Sequence, residues 1–370
     1  MARVLVTGGA GFIGSFIVDE LLKKKHSVRI FDSLAPQVHL GKMPDYLNKD
    51  AEFIKGDVTD YNNLKEALKD IDIVFHKAAV VGVGQSMYKI AHYVKDNTYG
   101  TAVLLDILAN EYHNVKKLIV ASSMSTYGEG AYKCEKCGII SPQLREETQM
   151  QKHQWELLCP QCKSHLKPIP TPESKSQDSN SIYALTKKEQ EHMCLMVGKS
   201  YGIPTVALRY FNVYGPRQSL NNPYTGVAAI FISRIKNDHQ PVIYEDGMQT
   251  RDFVSVHDVV QANMLAMENS AADYEVFNVG KGDTITIKEV AKTLARLCGK
   301  DINPDISLSF RKGDVRHCTA DISKIKSKLG YSPKINFEDG MKELMQWSAK
   351  QKSTDKFDIA TKELEKHGLA

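Results

Sequence analysis

A chain of 370 residues, 42% hydrophobic and 25% charged, is long enough for two domains with ample cores and too apolar for a disordered tail. Its mean hydropathy of −0.33, with no long apolar run, argues against a membrane span, which needs about 20 such residues. A net charge of +4 is too slight for a nucleic-acid or membrane surface, yet it suits a small anionic ligand.

In chain order, Val4–Val6, Val28–Phe31, Phe53–Ile54, Ile73–Phe75, Leu118–Val120 and Val206–Leu208 read as buried strands. The start, Arg3-Val4-Leu5-Val6-Thr7, runs straight into glycines rather than into a secretory signal, so a cytoplasmic protein is expected. Amphipathic stretches at Ile17–Lys25, Leu64–Asp70, Thr101–Tyr112 and Ala184–Lys199 lie between the strands. This alternation predicts an α/β fold: a doubly wound parallel sheet with helices on both faces. The stretch 129–172 breaks the rhythm and reads as an insertion, ending in Pro168-Ile169-Pro170-Thr171-Pro172. After about Asn212 the pattern becomes mixed, as a smaller α/β substrate-binding domain would be. The expected division is 1–211 with 251–280 for the sheet domain, 212–250 with 281–350 for the smaller one, and a charged helix or frayed tail over 351–370.

The chemistry starts at Thr7-Gly8-Gly9-Ala10-Gly11-Phe12-Ile13-Gly14, where Gly8, Gly11 and Gly14 follow the first strand and open a helix. Such glycines make a tight turn and let a pyrophosphate approach the positive helix end. Asp32 closes the second strand 18 residues after Gly14. A carboxylate there accepts from ribose hydroxyls and repels a 2′-phosphate, so NAD is favoured over NADP. Asp57 follows the third strand, where it either accepts from an adenine amino group or caps the next helix.

Tyr183-Ala184-Leu185-Thr186-Lys187 places a tyrosine and a lysine on one helical face. A phenol titrating near 10 becomes a useful base near neutrality only after roughly 4 kcal/mol of stabilisation, which a lysine and an oxidised nicotinamide can supply together. Ser122-Ser123-Met124-Ser125-Thr126-Tyr127-Gly128 follows the fifth strand, where such sheets bind ligands.

Fingerprint, serine-rich strand end and downstream YxxxK occur in that order, and Phe75-His76-Lys77-Ala78-Ala79, Arg209–Pro216, Arg251–Asp258 and Arg311–Arg316 accompany them. With these features the chain resembles the extended short-chain dehydrogenase/reductases of the nucleotide-sugar epimerase/dehydratase family over about residues 1–350, the insertion aside. The resemblance implies a nucleotide-diphosphate sugar as substrate. It also implies Ser123, Tyr183 and Lys187 as catalytic residues, with Phe12, Ile13, Asp32, Asp57, Val58, Lys77 and Asn97 as cofactor contacts. Asn212, Arg251, Arg311 and Asp314 would meet the substrate's diphosphate and nucleoside. A guanidinium suits that role because it binds phosphate oxygens bidentately, although Arg251 also fits a surface ion pair. His76 reads as a structural histidine. Dehydratases and decarboxylases of the family carry acids where this chain has Met124 and Ser125, which leaves epimerisation by hydride removal and return, with a net oxidation or reduction as the lesser alternative. A homodimer through the helices near Thr101–Tyr112 and Ala184–Lys199 is implied by resemblance alone.

The seven cysteines include two CxxC pairs, Cys134 with Cys137 and Cys159 with Cys162, separated by 21 residues. Four thiolates in two knuckles form a closed tetrahedral site, the pattern of structural zinc, with iron as the rival. Cys194, Cys298 and Cys318 read as buried fillers. Within the family, a two-knuckle insertion between the Tyr-Gly and YxxxK motifs resembles the dTDP-L-rhamnose 4-epimerase group, with UDP-glucose or UDP-N-acetylglucosamine 4-epimerases as runner-up. A non-catalytic NAD-sensing or nucleic-acid-binding regulator is the alternative from another class. The insertion's slight basic excess is a poor nucleic-acid footprint.

Overall fold

The computed structural model describes residues 1–370. Its centre is a seven-stranded parallel sheet containing β1 (Arg3–Thr7), β2 (Ser27–Asp32), β3 (Glu52–Lys55), β4 (Ile73–His76) and β5 (Lys117–Ser123). The strands Thr205–Tyr210 and Val276–Val279 complete it, and the order across the sheet is Val276–Val279, Thr205–Tyr210, β5, β4, β1, β2, β3. Side-chain alternation explains why both faces are covered. Val4 and Val6 join one apolar core with Ile17 and Val18 of α1 (Phe12–Lys23), while Leu5 joins the other with Leu104 and Leu108. The six expected strands are all present. The seventh was not anticipated because Val276-Phe277-Asn278-Val279 carries a polar residue in the middle. Asn278 is fully buried, accepting from Tyr127 Oη at 2.7 Å and donating to Thr171 O at 2.8 Å.

The chain leaves β1 towards β2 on one side and returns to β4 on the other. The strand order thus reverses at β1, opening a crevice at the carboxyl ends of β1 and β4. A smaller unit lies beyond those ends. Helices Val227–Lys236, Ile287–Leu297 and Phe337–Ala349 enclose a core that includes Tyr214, Phe231, Leu294 and Leu344. Thr250–Arg251 pairs with His317–Cys318 and with Ile285–Thr286 in a small mixed sheet. The 129–172 stretch forms a three-stranded antiparallel sheet from Ala131–Cys134, Gly138–Ile140 and Lys167–Ile169. Its core of six buried residues, Tyr132, Cys134, Ile140, Leu157, Cys159 and Leu166, is too small to stand alone. The tail is not frayed: Phe357–Lys366 is a helix whose Ala360 and Leu364 are buried against the body. No helix is long and apolar enough to cross a membrane.

Candidate active site

A cleft of about 630 Å³ runs from the glycine turn across the strand ends into the smaller unit. At one end Gly8 takes φ +67°, and a Cβ there would come within 2.8 Å of Ala78 N. A Cβ on Gly14 would strike Gly8 O at 2.2 Å, so both positions require glycine for helix and strand to meet so closely. Asp32 braces the same turn, its carboxylate accepting from Ala10 N (3.0 Å) and Leu34 N (2.8 Å). Gly11, Phe12, Ile13, Asp57 and Val58 line this end of the cleft. Asp57 does not cap the next helix. Its Oδ1 accepts from Thr59 N and Thr59 Oγ1 (2.9 and 2.8 Å), and Asp60 caps Tyr61–Ala67 by accepting from Asn63 N at 3.2 Å.

Two lysines face the middle of the cleft. Lys77 Nζ donates to Tyr210 Oη at 2.9 Å, and Tyr210 Oη donates to Asn263 Oδ1 at 2.9 Å. Lys187 Nζ donates to Ala121 O (2.9 Å) and Gln190 Oε1 (2.8 Å). Burial pushes the Lys187 ammonium down to about 7, and it lowers Lys77 too, with the Lys187 charge adding to the effect. Burial works against the charge of both ammonium groups, and a bound anion would favour it. His76 is structural, its ring between Thr7 Oγ1 and Thr101 Oγ1 (2.9 Å each), and burial pulls it down to about 3, so it is neutral.

Tyr183 sits in the first turn of the helix Ile182–Tyr201, which Ser181 caps by accepting from Ala184 N at 3.1 Å. Ser86 Oγ accepts from Tyr183 N at 3.0 Å and ties that turn to the loop after β4. Burial pushes the phenol up to about 12, and the Ser123 hydroxyl opposite works the other way. No hydrogen bond joins Lys187 to the phenol: the protein's own field leaves Tyr183 protonated, and its activation requires charge from a bound ligand. Ser123 is held by Ser125, whose Oγ lies 2.9 Å from Ser123 Oγ. Ser123, Tyr183 and Lys187 all line the cleft.

At the far end Asp314 lines the cleft and binds Arg311 through Oδ2, at 3.0 Å from Nε and 2.8 Å from Nη2, so its carboxylate orients the guanidinium. Asn97, expected as a cofactor contact, is fully buried and does not line the cleft. It accepts from Val80 N at 2.7 Å and donates to Val80 O (3.1 Å) and Thr186 Oγ1 (3.0 Å), pinning the loop after β4 to the catalytic helix. Arg251 is anchored by the carbonyls of Thr250 and Arg316, at 2.8 and 3.0 Å. Buried oxygens of Asn212 and Gln249, both lining the cleft, have no partner in the protein and suit donors on a substrate.

Sequence reasoning missed the support behind Arg251 and Arg311. Arg145 of the insertion binds Glu245 bidentately (2.9 and 2.8 Å), and Arg316 binds the same carboxylate at 2.9 Å. Arg316 N also donates to Glu129 at 2.7 Å, while Glu156 accepts from Arg316 Nε (3.0 Å) and faces His317 Nε2 at 3.1 Å. These hydrogen bonds with His317 and Arg316 pull the Glu156 carboxyl down to about 2. The partners lie 71 to 187 residues apart, so no local pattern could reveal them.

The ligand atoms of Cys134, Cys137, Cys159 and Cys162 all lie within 4.8 Å of one another, away from the cleft. Four sulfurs about 2.3 Å from one tetrahedral ion would sit about 3.8 Å apart, so the donor set fits a closed thiolate site.

The model of the NAD dependent epimerase/dehydratase family matches residues 4–280. The dTDP-L-rhamnose 4-epimerase of Burkholderia thailandensis is 34% identical over 357 residues, covering 94% of this chain and 95% of that protein. Among solved structures, a UDP-glucose 4-epimerase from Thermotoga maritima with UDP-glucose matches with TM-score 0.77 and 34% identity, covering 94% of this chain and 99% of that one. A UDP-glucuronic acid 4-epimerase from Bacillus cereus, in complex with UDP-glucuronic acid and NAD, matches with TM-score 0.73 and 30% identity, covering 93% and 98%.

Proposed function

Because the chain belongs to the NAD-dependent epimerase/dehydratase family and is an enzyme of the sugar-nucleotide epimerase class, we propose that it inverts C4 of a dTDP-linked 6-deoxyhexose such as dTDP-L-rhamnose. One observation carries the reaction type. Ser123 and Tyr183 meet in a cleft whose only acids, Asp32, Asp57, Asp96 and Asp314, do not neighbour Ser123 along the chain or hydrogen-bond to it. Elimination and decarboxylation need an acid or base beside the reacting carbon, and Met124 and Ser125 supply none. The identity to a dTDP-L-rhamnose 4-epimerase along nearly the whole chain supports the sugar. Epimerisation of UDP-glucose or UDP-N-acetylglucosamine is the runner-up, supported by the Thermotoga likeness.

Tyr183 takes the C4 hydroxyl proton, directly or through Ser123, and later returns it. Bound NAD supplies a hydride acceptor and then a donor at C4. The Ser123 hydroxyl works against the burial that raises the phenol, the charge of a bound ligand would supply the rest, and Asp32 selects the adenosine ribose. Arg251 and Arg311 hold the diphosphate firmly enough for a 4-keto sugar with planar C4 to turn in the cleft. Hydride given back to the opposite face of that plane would invert C4. Incubation with a panel of dTDP- and UDP-sugars, read by NMR, should show C4 inversion without added NADH and without deuterium from D₂O at C3, C4 or C5. Deuterium there would mean enolisation and overturn the mechanism; turnover of UDP-sugars alone would move the assignment to the runner-up.

We further assign a structural zinc to Cys134, Cys137, Cys159 and Cys162, supported by the four convergent thiols. Elemental analysis should find one zinc per chain; stoichiometric iron would refute it. A homodimer through the helices Gly100–Asn110 and Ile182–Tyr201 is supported by exposed Tyr99, Leu185 and Met196, and sedimentation tests it. A cytoplasmic site fits seven cysteines with no disulfide among them.

A further inference from the structure

The C-terminal segment, which carries no motif, packs along the rim of the cleft. Lys312 N, beside Arg311, donates to Leu369 O at 3.1 Å, and the His367 ring stacks on Tyr88 at 4.6 Å. Leu364 packs onto the loop after β4: a Cβ on Gly84 would meet its Cδ2 at 3.0 Å. The short helix Val83–Ser86 that holds Gly84 also gives Ser86 to the Tyr183 backbone, so it touches both the helix Phe357–Lys366 and the helix carrying Tyr183. Ala360 and Leu364, 5% and 6% exposed, line the cleft beside Val83. The cleft's lysines and arginines, Lys77, Lys187, Arg251 and Arg311, all lie elsewhere in the chain, and none belongs to this wall.

We propose that the helix Phe357–Lys366 is the outer wall of the sugar subsite, and that its apolar face selects a nucleotide sugar with a methyl or other uncharged C6 group against one with a C6 carboxylate. This rests on the reading of the cleft as a nucleotide-sugar site. An apolar wall binds a methyl group and leaves a carboxylate without a counter-charge, and desolvating an unpaired carboxylate is costly. One apolar contact of this kind is worth roughly 10- to 200-fold in discrimination.

Affinities of dTDP, dTDP-L-rhamnose and UDP-glucuronic acid, measured by calorimetry on the NAD-loaded enzyme, test this beside turnover. The wild-type protein should prefer the rhamnose nucleotide. Leu364→Ser should weaken that ligand about tenfold or more while dTDP, which has no sugar, binds as before. Ala360→Lys should shift the preference towards the uronate, a gain that misfolding cannot mimic. Ile359→Ser, on the exposed side of the helix, should change nothing. Unchanged ratios of the two sugar nucleotides in both cleft variants would overturn the proposal. Wild-type protein that epimerises neither sugar yet keeps this pattern of affinities would refute the proposed reaction and leave the wall intact.

Discussion

The two ends of the cleft are built on different principles. At the cofactor end the positions are set by backbone: glycines at the β1 turn, the carboxylate of Asp32 on two amides, and a helix that starts at Phe12. At the other end Arg251 rests on the carbonyl of Arg316, and Arg316 belongs to an ion network with Arg145, Glu156 and Glu245 that reaches into the insertion. A backbone cradle needs only its local sequence and a neighbouring strand. A charge network needs every partner present, since a buried charge left alone is costly. The cofactor end should therefore tolerate damage to the insertion, and the substrate end should not.

Tyr183→Phe gives the largest expected effect and marks the border between the two ends. Turnover should fall roughly 10²–10⁴-fold while both NAD and nucleotide sugar still bind, as steady-state kinetics and calorimetry would show. Arg145→Met strikes the network alone. Leaving Glu245 with only Arg316 should destabilise the protein by about 3–5 kcal/mol in urea unfolding, and Arg145→Met with Glu245→Met together should cost less than the two single changes summed. The buried Trp155, whose carbonyl accepts from Arg145, reports the loosening by fluorescence. The nucleotide-sugar KM should rise and NAD affinity should not; a parallel loss of NAD would erase the distinction between the ends.

Lys187→Met sharpens the cofactor end. The buried ammonium titrates near 7 in the folded protein against 10.5 when free, so the fold binds fewer protons than the unfolded chain between those values. The cost of burying it is therefore complete below pH 7 and relieved as the pH climbs to 10.5. Lys187→Met should stabilise the cofactor-free protein by about 1–4 kcal/mol at pH 6, lose that advantage at high pH, and remain inactive. Asp32→Ala has the smallest effect. NAD should bind more weakly by about 1.5–3 kcal/mol, and the gap to NADP should narrow in equilibrium titration.

The cofactor end was legible because its rules are local. A glycine turn, an acid at the next strand end and a tyrosine four residues before a lysine each act within one element, and the structure brings Ser123, Tyr183 and Lys187 to one cleft as the pattern implied. Where local reading failed, a long-range partner decided. Asn97 faces Val80 and Thr186, not the cleft, because a π-helical turn over Val94–Tyr99 buries it.

The tail shows the same division. Its sequence reads as a charged helix or a frayed tail; the structure makes it a helix with Ala360 and Leu364 buried on one face. Arg234 binding Asp355 and Asp358 at 3.2 and 2.9 Å, and Leu364 against Gly84, decide that it covers the rim of the cleft. The four cysteines likewise suggest convergence by spacing, but the tertiary fold decides that the module carrying them joins Glu245 through Arg145. Hydrophobic periodicity, glycine turns and short motifs act over a few residues and can be read in order. Ion pairs and packing between residues more than 100 apart exist only once the chain has closed on itself.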